Sequence, residues 1–322
     1  MSVDSTDLAV QTKALSKVYE GTSAVDAIDL NVPRHSIYGF LGPNGAGKTT
    51  TMKMLLGLIR PTSGSGSIFG LDIEKDSPEV RRRVGYLPQE PRFYPHMTAR
   101  ETLRFAAGFF FSGPADRIES RVDEMLEMVG IQDKANRPIK TLSGGETQRL
   151  GIAQAQIHEP DLLILDEPAA ALDPLGRRDV LAILERFRAS STVLYSTHIL
   201  DDVQRVSDMI CILKDGRIVE QGPIGDVLSS GNDSVFTIVI EGDVDRARAT
   251  LLDQPWVDGV DADGGRTSGR LRITVNDVGT AEARLQRVLL EDEALVVKEF
   301  SRPSASLEDI FVDLVEDGPT DA

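Results

Sequence analysis

The sequence has a single cysteine, Cys211, in 322 residues. No internal disulfide can form, and a reducing compartment is the expected setting. Long apolar runs are also missing. A bilayer span takes about 18–20 such residues, whereas the richest stretch, FAAGFFF at 105–111, covers a turn or two of helix. The opening MSVDSTDLAV is acidic and polar, unlike a secretory leader. The expectation is a cytoplasmic chain, with any membrane part supplied by another polypeptide. Positive charge is short as well: 35 Lys and Arg face 51 Asp and Glu, a net −16. Such a balance makes a poor general binder of phosphate backbones. Internal repeats, low-complexity tracts and sustained heptads are absent.

What is present is the composition of a folded chain, 41% hydrophobic and 27% charged. The length suits about two domains and needs no disulfide staples. The acid is uneven. Residues 231–322 carry nine basic and twenty acidic side chains, a balance of −11, against −5 for residues 1–230. A loop-like SSGND at 229–233 separates the two patterns.

Apolar residues alternate over 8–15, and AIDLNV at 27–32 ends on Pro33. SIYGFL at 36–41 is a β-rich run that gives way to a helical stretch over 48–58. Residues 98–130 have helical spacing, and a further helix is expected from Ser143 to about 157. The aliphatic run at 162–165 reads as a strand buried on both faces of a parallel sheet. A helix over 175–188, a strand over 192–196 and a hairpin over 207–222 with an Asp215-Gly216 turn follow. Beyond the linker the order is strand 235–241, helix 244–252, strands 257–262 and 271–275, helix 280–290 and strand 295–300. A last helix is expected over 307–315 with Ser306 as its cap. That β-α-β-β-α-β order describes a small ferredoxin-like unit.

Three motifs carry chemistry. Gly42-Pro43-Asn44-Gly45-Ala46-Gly47-Lys48-Thr49 fits the phosphate-binding loop and lies between a strand and a helix, as that loop requires. Glycines let successive amides curl around phosphate oxygens, and the helix adds its positive N-terminus. Lys48 is placed to neutralise the β- and γ-phosphates, and Thr49 to offer its hydroxyl to Mg²⁺. Second, the strand at 162–165 ends in Asp166 and Glu167. Strand C-termini are where ligands sit in such sheets; Asp166 suits the magnesium shell, and Glu167 the deprotonation of an attacking water. Third, Leu142-Ser143-Gly144-Gly145-Glu146 is a capped helix start with bare amides, a second anion site.

With LSGGE ahead of the aliphatic-Asp-Glu strand, the chain resembles the nucleotide-binding subunits of ATP-binding cassette (ABC) transporters over about residues 8–228. The resemblance implies an α/β P-loop cassette at 6–228, with a helical subdomain at about 90–157, followed by the small βαββαβ domain at 234–316. It assigns Gln89 to a magnesium-sensing glutamine loop and His198 to a switch near the γ-phosphate. It also assigns Asp173 to a loop crossing a dimer interface, and Tyr19 to stacking on adenine. Ala169-Ala170-Ala171 stands where family members often have Thr-Ser-Gly. The implied assembly is a head-to-tail dimer holding two ATP. Each site joins residues 42–50 of one copy, Thr50 included, to Ser143, Gly144 and Gly145 of the other, the partner being a second copy or a second ATP-binding subunit.

The segment 306–311 is similar to tails of ABC-2 type exporter subunits. The implied function is an ATPase subunit that powers a separate membrane permease. Phe93, Tyr94, Phe105, Phe109, Phe110 and Phe111 either offer that partner an apolar groove or lie in the core. A soluble ABC-type ATPase acting on nucleic acid or ribosomes is the alternative; one phosphate loop, no long coiled coil and the acidic balance weigh against it.

Overall fold

The computed structural model describes residues 7–301 except 113, 171, 231–234, 266 and 293, together with 307, 308 and 311. Of the helix expected over 307–315, residues 307, 308 and 311 are described and are helical; the rest of it, its cap Ser306, half of the segment 306–311 and Ala171 fall outside these residues. The chain divides into two compact units, Met1–Ile224 and Gly225–Ala322.

The first unit holds two sheets. One is antiparallel, built from β1 (Leu8–Tyr19), β2 (Thr22–Ile28), β3 (Asn31–Pro33), β5 (Ser63–Ile68) and β6 (Leu71–Asp72) in the order β2-β1-β5-β6, with β3 also on β1. The other contains β4 (Ile37–Leu41), β7 (Val84–Leu87), β8 (Leu162–Leu165), β9 (Thr192–Thr197), β10 (Met209–Lys214) and β11 (Arg217–Pro223). Its order is β11-β10-β4-β9-β8-β7, parallel except for β11. Every residue of β4, β8 and β9 is buried, which is why β8 reads as an unbroken aliphatic run and none of the three strands alternates. A core including Tyr38, Phe40, Met52, Leu55, Ile164 and Leu194 fills the space around them.

Helices join the strands: α1 (Lys48–Leu55), α2 (Ser77–Arg83), α3 (Ala99–Ala107), α4 (Ala115–Met128), α5 (Gly144–Gln156), α6 (Pro174–Phe187) and α7 (Leu200–Val206). The helix expected across 98–130 is two helices. Gly108 caps α3 and Pro114 opens α4, because proline lacks the amide a continuous helix needs there. The strand expected over 27–32 is divided between β2 and β3, and Pro33 ends β3 instead of following it. The proline is tolerated because β3 pairs only with β1. Of the six aromatics of 93–111, Phe93 alone is half-buried; Tyr94, Phe105, Phe109, Phe110 and Phe111 are exposed, Phe109 by 72%. The core alternative therefore fails for five of them.

The second unit begins within α8 (Ile224–Ser230). It continues as β12 (Val235–Glu241), α9 (Val244–Leu252), β13 (Val257–Gly265), β14 (Ser268–Val275), α10 (Val278–Leu290) and β15 (Val296–Ser301). Its sheet is antiparallel in the order β13-β14-β12-β15. Asp243 and Asp277 cap the two helices through hydrogen bonds from the Arg246 and Thr280 amides. Burial alternates strictly along β14, with Leu271, Ile273 and Val275 inward and the two arginines outward.

Candidate functional site

Strand order assembles the site. The strands β7, β8, β9 and β4 are parallel neighbours, so their C-terminal ends lie along one edge of the sheet. Gln89 follows the first, Asp166 and Glu167 the second, His198 the third and the glycine loop the fourth. A cleft of about 280 Å³ opens there, lined by Ala24, residues 43–50, Gln89 and Glu167.

The loop needs its glycines. Gly47 sits at φ +104°, and a Cβ there would stand 2.5 Å from the Ala24 carbonyl. A Cβ on Gly42 would come within 2.4 Å of the Leu213 carbonyl. Gly47 also leads α1 without a side-chain cap, so the first amides of the helix have no partner within it and face an incoming anion. Lys48 is buried, with Nζ donating to the carbonyls of Gly42 (2.6 Å) and Pro43 (3.1 Å). Glu167 Oε1 lies 3.6 Å from the same nitrogen. Burial lowers the Lys48 pKa, and the carboxylates of Glu167 and Asp166 oppose that shift. The ammonium is therefore held on the inner curve of the loop by groups that a phosphate can replace.

The two acids face different partners. Thr49 donates its hydroxyl to Asp166 Oδ2 at 2.8 Å, which ties β8 to the loop helix. Glu167 is buried and directs its carboxylate at Lys48 and at His198, whose Nδ1 lies 3.0 and 3.2 Å from the two oxygens. Glu167 takes φ +51°, a left-handed conformation that costs a non-glycine residue about 1–3 kcal/mol. The hydroxyl of Thr49, the carboxylate of Asp166 and the amide oxygen of Gln89 are hard oxygen donors. Few in number and beside a phosphate loop, they suit Mg²⁺, which keeps waters and shares its shell with substrate phosphates. Among the described residues no group of three or more His, Cys, Asp or Glu forms a metal cage.

Other expected residues do not line this cleft. Ser143 caps α5 with a full capping box: its hydroxyl accepts the Glu146 amide, and Glu146 accepts the Ser143 amide at 2.8 Å. Lys134 pairs with the same glutamate. Gly144 is exposed and meets nothing within 4 Å on its Cβ side, so another surface can come close to the start of α5. Asp173 caps α6 by accepting the Gly176 amide at 3.0 Å. Tyr19 ends β1 with its ring 42% exposed and the Lys17 ammonium 5.0 Å above it, so it is not a core aromatic.

Sequence reasoning missed three groups here. Ala24 lines the cleft although it carries no chemistry. Ser196, buried under both acids, was visible only as a polar residue at the end of an apolar strand. Arg177 on α6 bonds the buried Asp202 on α7, four residues after His198; nothing in the sequence pairs them.

Residues 25–170 match the family model described as "ABC transporter". The chain is 37% identical to an uncharacterised ABC transporter ATP-binding protein, YxlF, of Bacillus subtilis, over 94% of this chain and 98% of that protein. It is 36% identical to the bacitracin transport ATP-binding protein BcrA of Bacillus licheniformis, over 96% and 98%. Identity to the daunorubicin/doxorubicin resistance ATP-binding protein DrrA of Streptomyces peucetius is also 36%, over 95% and 92%. Among solved structures, the dimeric post-hydrolysis state of the cassette MJ0796 bound to ADP and Pi superposes with a TM-score of 0.62. The two are 26% identical, over 67% of this chain and 98% of that one.

Proposed function

The chain belongs to the ABC transporter ATP-binding proteins, and from that premise we propose that it powers an exporter as one half of an ATP-sandwich dimer. ATP binding and hydrolysis follow from membership. The finer assignments are our reading of the site. Lys48 and the amides of residues 42–50 grip the β- and γ-phosphates. Thr49, Asp166 and Gln89 hold Mg²⁺, which neutralises charge on the phosphates when bound. Glu167 takes the proton of the attacking water, and His198 orients that carboxylate. The observation that carries this reading is the convergence of Lys48 and His198 on one buried glutamate beside the glycine loop.

The sandwich is supported by the position of the signature helix. Ser143 and Gly144 are exposed and outside the cleft of their own chain, so a second copy supplies them to each site. Tyr19, half open at the end of β1, stacks on the adenine, and Asp173 lies on the surface that meets the second copy. ATP then bridges the two copies, and hydrolysis releases the bridge.

No helix among the described residues is long and apolar enough to cross a membrane. In our reading a separate permease supplies the transport path and holds this subunit at the cytoplasmic face of the membrane. The exposed aromatics at 94 and 105–111 suit an apolar helix of that partner. BcrA and DrrA, named for bacitracin transport and drug resistance, support the export branch.

The test is Glu167→Gln. Turnover of ATP falls by about 10²–10⁴-fold, the usual share of a general base, while ATP-dependent dimers persist in size-exclusion chromatography. Unchanged turnover removes Glu167 from this role. For the transport half, Phe109→Asp abolishes co-purification with the integral membrane permease that the wild-type chain retains in detergent extracts and leaves the basal ATPase rate of the isolated subunit intact. Retained co-purification defeats the docking assignment.

A further inference from the structure

Two adjacent acids at a strand end pose a geometric problem. A strand sends successive side chains to opposite faces, yet Asp166 reaches Thr49 while Glu167 reaches Lys48 and His198, all at one cleft. The chain solves this by leaving the strand at once, with Glu167 in a left-handed conformation. Something must hold that turn, because the conformation does not hold itself.

The group in contact with both residues is Ser196 on β9, which is fully buried. Its hydroxyl donates to Asp166 Oδ1 at 2.6 Å and accepts the Glu167 amide at 2.9 Å. A hydroxyl has one hydrogen and two lone pairs, and here one oxygen serves both acids. With Oδ1 tethered to Ser196, Asp166 is left with Oδ2 directed at Thr49. With its amide tethered to the same oxygen, Glu167 is fixed in the turn that aims its carboxylate into the cleft.

We infer that Ser196 is a positioning residue for ATP hydrolysis: its single hydroxyl fixes Asp166 for the metal and Glu167 for the attacking water. The inference rests on the roles given to those two acids above. Ser196 touches neither nucleotide nor water; it acts through its neighbours. Removing the hydroxyl leaves a carboxylate oxygen and an amide buried without this partner, and it loosens both groups together.

The experiment compares Ser196→Ala, Ser196→Cys and Glu167→Gln, singly and with Ser196→Ala combined with Glu167→Gln, in the full chain. Ser196→Ala is expected to lower kcat by about 10–100-fold and to change the KM for ATP by less than about 3-fold. Ser196→Cys, with nearly the same shape but a weak donor and acceptor, keeps the fold and shows the same loss, so misfolding of the alanine variant does not decide the matter. In the double variant the losses multiply only in part, because the share that Ser196 exerts through Glu167 is already lost and the share through Asp166 remains, read as the higher Mg²⁺ requirement.

A second readout is binding alone. Titration with a fluorescent ATP analogue shows unchanged affinity without Mg²⁺ and a several-fold higher Mg²⁺ requirement in Ser196→Ala. Wild-type kcat and Mg²⁺ requirement in both serine variants, or losses that multiply in full in the double variant, overturn the inference. Should Glu167→Gln itself turn over normally, the reading of Glu167 falls first, and the two failures are thereby told apart.

Discussion

The two units solve the same packing problem under different constraints. In the second, the described buried residues are apolar: Phe236, Ile238, Ile240, Leu271, Ile273, Leu285 and their neighbours. Its left-handed positions are glycines, Gly242 and Gly264. The first unit also buries Lys48, Asp166, Glu167, Asp202 and Ser196. All eight described non-glycine residues with positive φ, Glu167 among them, lie in it. Burying charge and holding strained backbone both oppose folding, so they persist where the surrounding structure over-determines them. The contrast teaches where the chemistry is. One unit carries strained non-glycine backbone and buried, paired charges, and the other packs apolar side chains and keeps its positive-φ positions for glycine.

Substitutions can break that contrast or sharpen it. The largest effect is expected for Lys48→Ala, which removes the cation of the loop and lowers ATP turnover by about 10³-fold, or about 4 kcal/mol of barrier. A coupled-enzyme assay reads it, and turnover within a factor of three of wild type would mean that the buried charge is not catalytic. Next is Ile238→Ala at the centre of β12, a cavity worth about 3 kcal/mol of stability in urea unfolding. ATP turnover per folded molecule stays as in wild type. A turnover loss matching that of Lys48→Ala would erase the division between the units.

A smaller effect separates the units by pH. Burial pushes His158 in the first unit down to about 4, with Arg121 adding to the shift, and its ring stacks on Phe110 at 3.9 Å. The ordinary value is about 6.5. Between those values the unfolded chain binds a proton that the native chain does not, so stability falls as pH drops from about 6.5 to about 4. Replacing His158 by Gln removes on the order of 2 kcal/mol of that dependence, measured by urea unfolding at several pH values. An unchanged slope refutes the assignment. The smallest effect is at the surface of the second unit. Lys298 and Glu241 pair at 3.0 Å with both side chains about half exposed. Lys298→Ala should shift stability by less than about 1 kcal/mol, and less still in high salt; a larger, salt-insensitive loss would show a pair that solvent does not screen.

Legibility followed the same line. The second unit was readable element by element: β12 and α9 fall at the bounds expected from period alone, because its pattern is set by burial on one face. The aliphatic strand β8 was equally plain, since a strand covered on both faces has no alternation to hide. The stretch from 59 to 87 gave no reading, yet it contains β5, α2 and β7. The SGSGSI of β5 has almost no apolar side chains; it is a strand because β1 pairs with it, not because of its propensity. The short α7 likewise escaped notice at seven residues.

The sequence by itself determined which chemistry is present. A glycine loop with lysine and threonine, an acid pair after an aliphatic run and a capped glycine helix are local patterns, and local sterics and hydrogen bonding fix what each can hold. Only the tertiary structure decided which of them work together. Residues more than a hundred positions apart meet because four parallel strands lie side by side, and strand order depends on long-range pairing that no local window contains. It also decided the supports, Ser196 under the two acids and Arg177 against Asp202. A hydroxyl or a guanidinium acquires such a role only from what packs beside it.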